Sequence, residues 1–343
     1  MFYVGLDIHC KYITICILNG NGKVYQRCEA RGIGQLMRTL DQVPGPFQVC
    51  YEASTGYGVY FELLSKVAEH VAVAHPGLLK IIFRSKRKND RRDAEKLAKL
   101  LYVGEVPIVH VPRADVRAWR ELITFRRRLV EKRTRAKNGI RGLLRSLTIR
   151  PPQRPGLWTK KGMAWLEQQS LDNAMHALRR DLLLEEVVRL TEQIGRVEAE
   201  LARHSTKSVA VQLLQSIPGV GLRTAEAVAA FIDNPHRFPD SKRLGAYFGL
   251  VPSQDQSGST NRLGHITKEG SATVRHLLVE AVWQAKRRSP TVAAYLDRVQ
   301  RGEKDRRKIA IVATAHYLVR VMWAMLKNRT LWKESVMATQ GSL

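Results

Sequence analysis

Residues 2–30, FYVGLDIHCKYITICILNGNGKVYQRCEA, decide the fold. Three runs rich in β-branched and aromatic residues follow one another: FYVGLDIH, KYITICILNG and GKVYQRCEA. The second and third are joined by Asn19-Gly20-Asn21-Gly22, residues that tolerate the positive φ of a tight hairpin turn. The stretch therefore predicts a three-strand meander, with Asp7 at the end of its first strand.

Working outward, a helical pattern follows with Leu36, Leu40 and Val43 on its apolar face, then the strand PFQVCYE ending in Glu52. A Gly-containing entry leads to a helix through GVYFELLSKVAEH and to the strand VAVAH. Pro76 reads as a stop to regular pairing, and the basic helix NDRRDAEKLAKLL comes next. The predicted order, βββαβαβα, is that of the ribonuclease H fold, an α/β topology in which the first strand occupies the centre of the sheet. Asp7 and Glu52 then stand on neighbouring strands. Asp90 and Asp93, three residues apart, share one helical face that projects toward the same strand ends.

Carboxylates so arranged suit hard divalent cations, which polarise a scissile phosphate and steady the attacking and leaving oxygens. Mg²⁺ is the expected ion, as a pair, with Mn²⁺ an acceptable substitute. Taken singly, Asp7 or Glu52 could be a turn or capping residue, and Asp93 could pair with Lys96 or Arg92. As a set in this strand order they read as a metal site.

Charge points to the substrate. The 343 residues carry 57 Lys plus Arg against 31 Asp plus Glu, a formal net charge of +26, which favours nucleic acid first and an anionic membrane second. No apolar run is read as approaching the roughly 18 to 20 residues of a membrane span, so no membrane partner is expected. Cys10, Cys16, Cys28 and Cys50 lack metal-ligand spacing and read as reduced core thiols, which suits a cytoplasmic, nucleoid-associated protein. Residues 1–79 hold six basic and six acidic side chains, whereas residues 113–160 hold fifteen and three. The first region looks like a catalytic core and the second like a binding arm.

From Arg113 the period becomes helical through WRELITFRRRLVEKRTRAKNGIRGLLRSL, is interrupted by PPQRPGLW, and resumes to about His204. Its Arg126, Arg127, Arg128, Lys132, Arg133 and Arg135 are candidates to track a phosphate backbone. Val187, Leu190, Ile194, Val197 and Leu201 recur at spacings of three and four, which fits either a short coiled-coil seam or an antiparallel helical hairpin within one chain. SIPGVGLRTAEAVAAF resembles a helix-hairpin-helix element, in which Gly219 and Gly221 would let backbone amides approach a phosphate. The rest reads as mostly helical, apart from an irregular polar stretch, PSQDQSGSTNRLGHITKEG. There Ser257-Gly258 is flanked by Arg262, Lys268 and Arg275. A serine among cations could attack a phosphodiester, and Ser253 and Ser259 are alternatives. Four segments result: a catalytic domain over 1–112, a basic helical or coiled-coil insert over 113–208, a C-terminal domain over 209–330, and a tail over 331–343.

GLDIHCKYITICIL, CYEASTGYG and KNDRRDAEKLAKLL together resemble the RuvC-like DEDD domain of insertion-sequence family one-ten, including its eleven-eleven subgroup. The block from SIPGVGLRTAEAVAAF through GSATVRHLL resembles that family's C-terminal transposase domain. The resemblance implies a recombinase guided by a noncoding bridge RNA that pairs with donor and target DNA. Asp7, Glu52, Asp90 and Asp93 would be the metal-binding acids, and Ser257 the nucleophile that forms a phosphoserine link to DNA. It further implies a homo-oligomer, dimer or tetramer, in which acids of one subunit meet the serine of another and the middle helices make the contacts. Two other classes compete with it: a RuvC-like structure-specific nuclease without a covalent intermediate, and a nucleic-acid-binding protein with an inactive nuclease fold.

Overall fold

A computed structural model describes residues 1–83, 90–154, 156–257 and 260–334, except for the side chains of residues 90, 91, 257 and 260. The chain forms two compact units, Met1–Arg117 and Ala118–Leu343.

The first unit contains β1 (Phe2–Ile8), β2 (Ile13–Leu18), β3 (Val24–Ala30), α1 (Ile33–Asp41), β4 (Phe47–Glu52), α2 (Tyr57–Leu64), β5 (His70–Ala74), α3 (Pro76–Ile82) and α4 (Asp90–Tyr102). Its sheet has the order β3-β2-β1-β4-β5, with β1 central. β1 is antiparallel to β2 and parallel to β4, and β5 continues parallel to β4. Strict side-chain alternation sorts the two faces. Val4, Leu6, Ile13, Ile15, Ile17, Val49, Tyr51 and Val73 bury one face with Leu36 and Leu40 of α1. Cys16, Leu18, Cys50, Ala72 and Ala74 point the other way, toward Ala94, Leu97, Ala98 and Leu101 of α4.

Three expectations change here. Pro76 opens a helix, because proline's fixed φ suits the first helical position and His75 Nδ1 caps it by accepting from the amides of Gly77 and Leu78 at 3.1 and 3.3 Å. α2 ends at Leu64 rather than running to His70. Cys10 is exposed between β1 and β2, while Cys16 and Cys50 are buried and burial pushes the Cys50 thiol up to about 12.

The second unit takes in most of α5 (Ala114–Ser146), followed by α6 (Lys160–Gln168), α7 (Ala174–Ser205), α8 (Val209–Gln215), α9 (Leu222–Ile232) and α10 (Ser241–Tyr247). β6 (Pro252–Ser257), β7 (Thr260–Ile266), α11 (Ala272–Ala285), α12 (Pro290–Gln300) and α13 (Arg307–Asn328) complete it. α5 and α7 form an antiparallel pair within the chain. Leu129 packs with Leu190 and Ile194, and Ala136, Ile140 and Leu144 pack with Leu184 and Val187. The three-four seam on α7 is thus filled by α5 of the same chain.

α9, α11 and α13 supply most of the C-terminal core. α13 corrects the expectation that no apolar run is long enough to span a membrane: by length and composition it qualifies. Its Ala310, Ile311, Ala315, Leu318, Val319 and Met322 are buried in that core. The stretch read as irregular is also corrected, for Pro252–Ser257 and Thr260–Ile266 pair as an antiparallel hairpin.

Candidate active site

Asp7 and Glu52 are brought together by strand register. Leu6 pairs with Tyr51 across the parallel β1–β4 ladder, so Asp7 and Glu52 follow at adjacent strand ends, both on the face covered by α4. Tyr51 points to the opposite face, where its hydroxyl donates to the Tyr57 carbonyl at 2.6 Å and ties down the turn that follows Glu52. Burial raises this phenol well above the ordinary tyrosine range, so it stays protonated and a donor.

α4 can lie on this face because residue 5 is glycine. A β carbon there would overlap the Ala94 carbonyl oxygen and the Ala98 amide nitrogen of α4. Asp93 is the residue before Ala94, so this close approach sets its position. Its Oδ1 accepts from Lys96 Nζ at 2.8 Å. Arg27 of β3 holds the same helix through Glu95, with Nη2 to Oε2 at 2.7 Å. Asp90 is the first residue of α4, and its side chain lies outside the described residues.

Two groups beside Asp7 escaped sequence reasoning. His9 Nε2 lies 3.1 Å from Asp7 Oδ2, an i, i+2 contact made as β1 ends. Thr14 sits opposite Asp7 on β2, buried, and its hydroxyl has no hydrogen-bond partner. Among the described residues no three His, Cys, Asp or Glu side chains already form a closed ligand cluster. Mg²⁺ does not require one, since it commonly binds one or two carboxylates and completes its shell with water and phosphate oxygens. Two carboxylates at adjacent strand ends beside an unanswered buried hydroxyl fit such an ion, with Asp7 and Glu52 as the residues that would hold it; Asp93, ion-paired with Lys96, does not join them in a three-ligand group among the described residues.

Ser257 ends β6, where it pairs with Thr260 across the tip of the hairpin. Its side chain, Gly258 and Ser259 lie outside the described residues. Ser253 is at the base of the same hairpin, its hydroxyl packed against Gly264.

Comparison with known proteins identifies the lineage. Residues 4–149 match a DEDD transposase family model of the IS110 type, and residues 211–297 match the transposase IS116/IS110/IS902 family model. The transposase for insertion sequence element IS1111A of Coxiella burnetii is 30% identical over 348 residues, covering 96% of this chain and 91% of that one. A Sinorhizobium fredii protein with a transposase designation, y4qE, is 32% identical over 290 residues, or 82% and 71% of the two chains. The transposase for insertion sequence element IS1328 of Yersinia enterocolitica is 27% identical over 335 residues, 96% and 98%. The chain belongs to the IS116/IS110/IS902 family of transposases.

The transposase is accordingly a DNA-processing protein, and its basic residues divide by what they touch. Arg126 Nε donates to Glu198 Oε1 at 2.8 Å, and Arg127 Nε to Glu131 Oε1 at 2.7 Å. Arg133 reaches Thr191 at 3.4 Å. Arg128, Lys132 and Arg135 are exposed and recur on one face of α5 at spacings of four and three. Arg262 and Lys268 are exposed. Arg275 is engaged with the carbonyls of Phe248, Glu269 and Gly270, and burial lowers its pKa, with the charge of Arg127 adding to the effect.

The two glycines of the α8–α9 turn also separate. Gly219 has φ +91°, and a β carbon on it would collide with the α11 backbone at Ala285, so its first task in the transposase is close packing. Gly221 is exposed and begins α9 with open space around it, which leaves that helix start accessible to an anion.

Proposed function

We propose that this transposase cuts and rejoins donor and target DNA under the guidance of a noncoding bridge RNA from its own element, using the acids and Ser257 together in one composite site. The observation that carries the metal half is the juxtaposition of Asp7 and Glu52 at neighbouring strand ends beneath the helix bearing Asp93. The strand order β3-β2-β1-β4-β5, with three antiparallel strands followed by parallel ones, supports a ribonuclease-H, RuvC-like reading of residues 1–112. The family resemblance supports the bridge RNA, the serine link and the assignment of residues 209–330 as the serine-bearing domain.

Divalent cations at the acids would polarise the scissile phosphate and stabilise the charge that builds on its oxygens. Asp7, Glu52, Asp90 and Asp93 would be the residues that hold those cations. Ser257 Oγ loses its proton and bonds to phosphorus, while the bond from phosphorus to one strand oxygen breaks and leaves a hydroxyl. A hydroxyl from a second strand reverses the step and releases serine. Arg128, Lys132, Arg135, Arg262, Lys268 and the α9 start at Gly221 neutralise phosphates of DNA or RNA.

The transposase works as a homo-oligomer with acids and serine drawn from different subunits. Met175, Leu178 and Leu182 recur along α7 and are 75%, 60% and 56% exposed, an apolar stripe that supports contact between middle helices. Such a protein acts in the cytoplasm on nucleoid DNA.

Asp7→Asn tests the acid site. Cleavage of a matched DNA substrate in Mg²⁺ is expected to fall by roughly 100-fold or more, the rate equivalent of about 3 kcal/mol of lost charge stabilisation. RNA binding stays near wild type. Near wild-type cleavage would remove Asp7 from the chemistry.

A further inference from the structure

α10, α12, α13 and the segment after α13 line an open cavity of about 830 Å³ in the second unit. That volume lies within the roughly 300–1,000 Å³ typical of small-ligand sites. Tyr295 and Tyr317 line it as a parallel stack, with ring centroids 4.3 Å apart and planes 15° from parallel. The Arg298 guanidinium carbon is 4.9 Å from the Tyr295 ring centre, which extends the tier. Arg298, Arg320 and Lys333 are the charged side chains lining the cavity, and no carboxylate joins them among the described residues.

The wall contributed by the C-terminal segment is held in place. The Trp332 amide donates to Ser216 Oγ at 2.9 Å and its indole donates to Glu334 Oε1 at 3.0 Å. Glu334 Oε2 accepts from Ser289 Oγ at 3.0 Å and from the Thr291 amide at 3.2 Å at the start of α12. Neutral donors beside the cavity hold the Glu334 carboxylate away from the lining while it keeps its charge, so three cations of the lining face one neighbouring carboxylate and the site remains net positive. Aromatic rings with guanidinium tiers accept the flat face of a nucleobase, and the cations match a phosphate. A paired base has its faces covered by its neighbours in the duplex, so the chemistry selects an unpaired one.

We propose that this cavity binds one unpaired nucleotide of a single strand, its base stacked on the Tyr295–Tyr317 tier and its phosphate held by Arg298, Arg320 and Lys333. This is a binding function, independent of the acids and of Ser257. The strand is DNA or RNA, since both offer a base face and a phosphate.

The test uses the full chain without divalent metal, so the outcome does not depend on cleavage. 2-Aminopurine is placed in a single-stranded DNA, in the matching RNA, and in a fully paired DNA duplex. Binding is expected to quench the reporter in at least one single strand and not in the duplex, and the more tightly held strand names the source. Tyr295→Leu and Tyr317→Leu are expected to remove the quench and weaken single-strand affinity by roughly 5- to 150-fold, the usual range for one stacked base. Tyr317→Phe keeps it. Arg298→Gln with Arg320→Gln leaves the apolar packing intact and is expected to weaken binding with a shallower salt dependence. Quenching that survives both leucine variants, quenching that is equal in the duplex, or an arginine double variant with wild-type affinity and salt slope would overturn the proposal.

Discussion

Gly5 of β1 lies directly against the backbone of Ala94 in α4, an approach that any side chain at position 5 would prevent. One missing β carbon thus fixes the height of the helix that carries Asp93 above the strand that carries Asp7.

Gly5→Val should therefore act on catalysis without touching an acid. The added atoms overlap the backbone of a packed helix, and overpacking of this kind costs about 1–3 kcal/mol or more. The expected result is a folded but less stable protein whose cleavage falls well beyond its loss of stability, while single-strand binding persists. Thermal unfolding and cleavage rates measured side by side check this. Wild-type cleavage would show that α4 need not sit where it does.

The exposed row on α5 carries the next expectation. Replacing Arg128, Lys132 and Arg135 with glutamine should lower the slope of log affinity against log salt by up to roughly 0.7 to 0.9 for each phosphate that is no longer neutralised. Arg126→Gln should behave differently, because Arg126 is half-buried against Glu198. It is expected to cost about 1 kcal/mol of stability or less, since Glu198 stays within reach of water, and to change the salt slope little. Titrations with DNA and RNA across a salt series, alongside denaturant unfolding, separate the two effects. A slope unchanged in the triple variant would make this face of α5 a solvated surface.

Acid sensitivity is expected at His316. Burial lowers its pKa, with the Arg320 charge adding to the effect, and its Nε2 is buried without a hydrogen-bond partner. The fold therefore holds a neutral imidazole, whereas the unfolded chain takes up a proton near pH 6.5. The stability this contributes is complete above that pH and is lost as pH falls through it, by at most about 1.4 kcal/mol per pH unit. Unfolding temperatures from pH 8 to pH 5 should fall more steeply for wild type than for His316→Gln. Parallel curves would count against the assignment.

Much of the first unit was legible because alternation is a local signal. Val4 and Leu6 against Gly5 and Asp7 give the faces of β1, and Asn19 to Gly22 gives the hairpin. The placement of Asp7 beside Glu52 follows from strand order. What stayed hidden depends on distant partners. Nothing near Arg126 foretells Glu198, and nothing near Arg275 foretells the Phe248 carbonyl. The β6–β7 hairpin was missed for a different reason. Its strands are exposed and polar, so no apolar alternation marks them, and Gln254 reaches Gln256 and Asn261 where a buried strand would carry hydrophobic side chains. The helix at Pro76 was missed because proline stops a strand and starts a helix with equal ease.

The most direct measurement is the search for a covalent protein–DNA adduct, trapped on a denaturing gel from the full protein with its RNA and matched DNA in Mg²⁺ and mapped by peptide mass. A serine nucleophile conserves the bond energy in a protein–DNA phosphodiester, whereas hydrolysis by water leaves free ends. The expected result is a protease-sensitive adduct at Ser257 that disappears in Ser257→Ala and in Asp7→Asn while binding persists in both. An adduct at Ser253 or Ser259 would move the nucleophile, and full recombination by Ser257→Ala would contradict the serine mechanism.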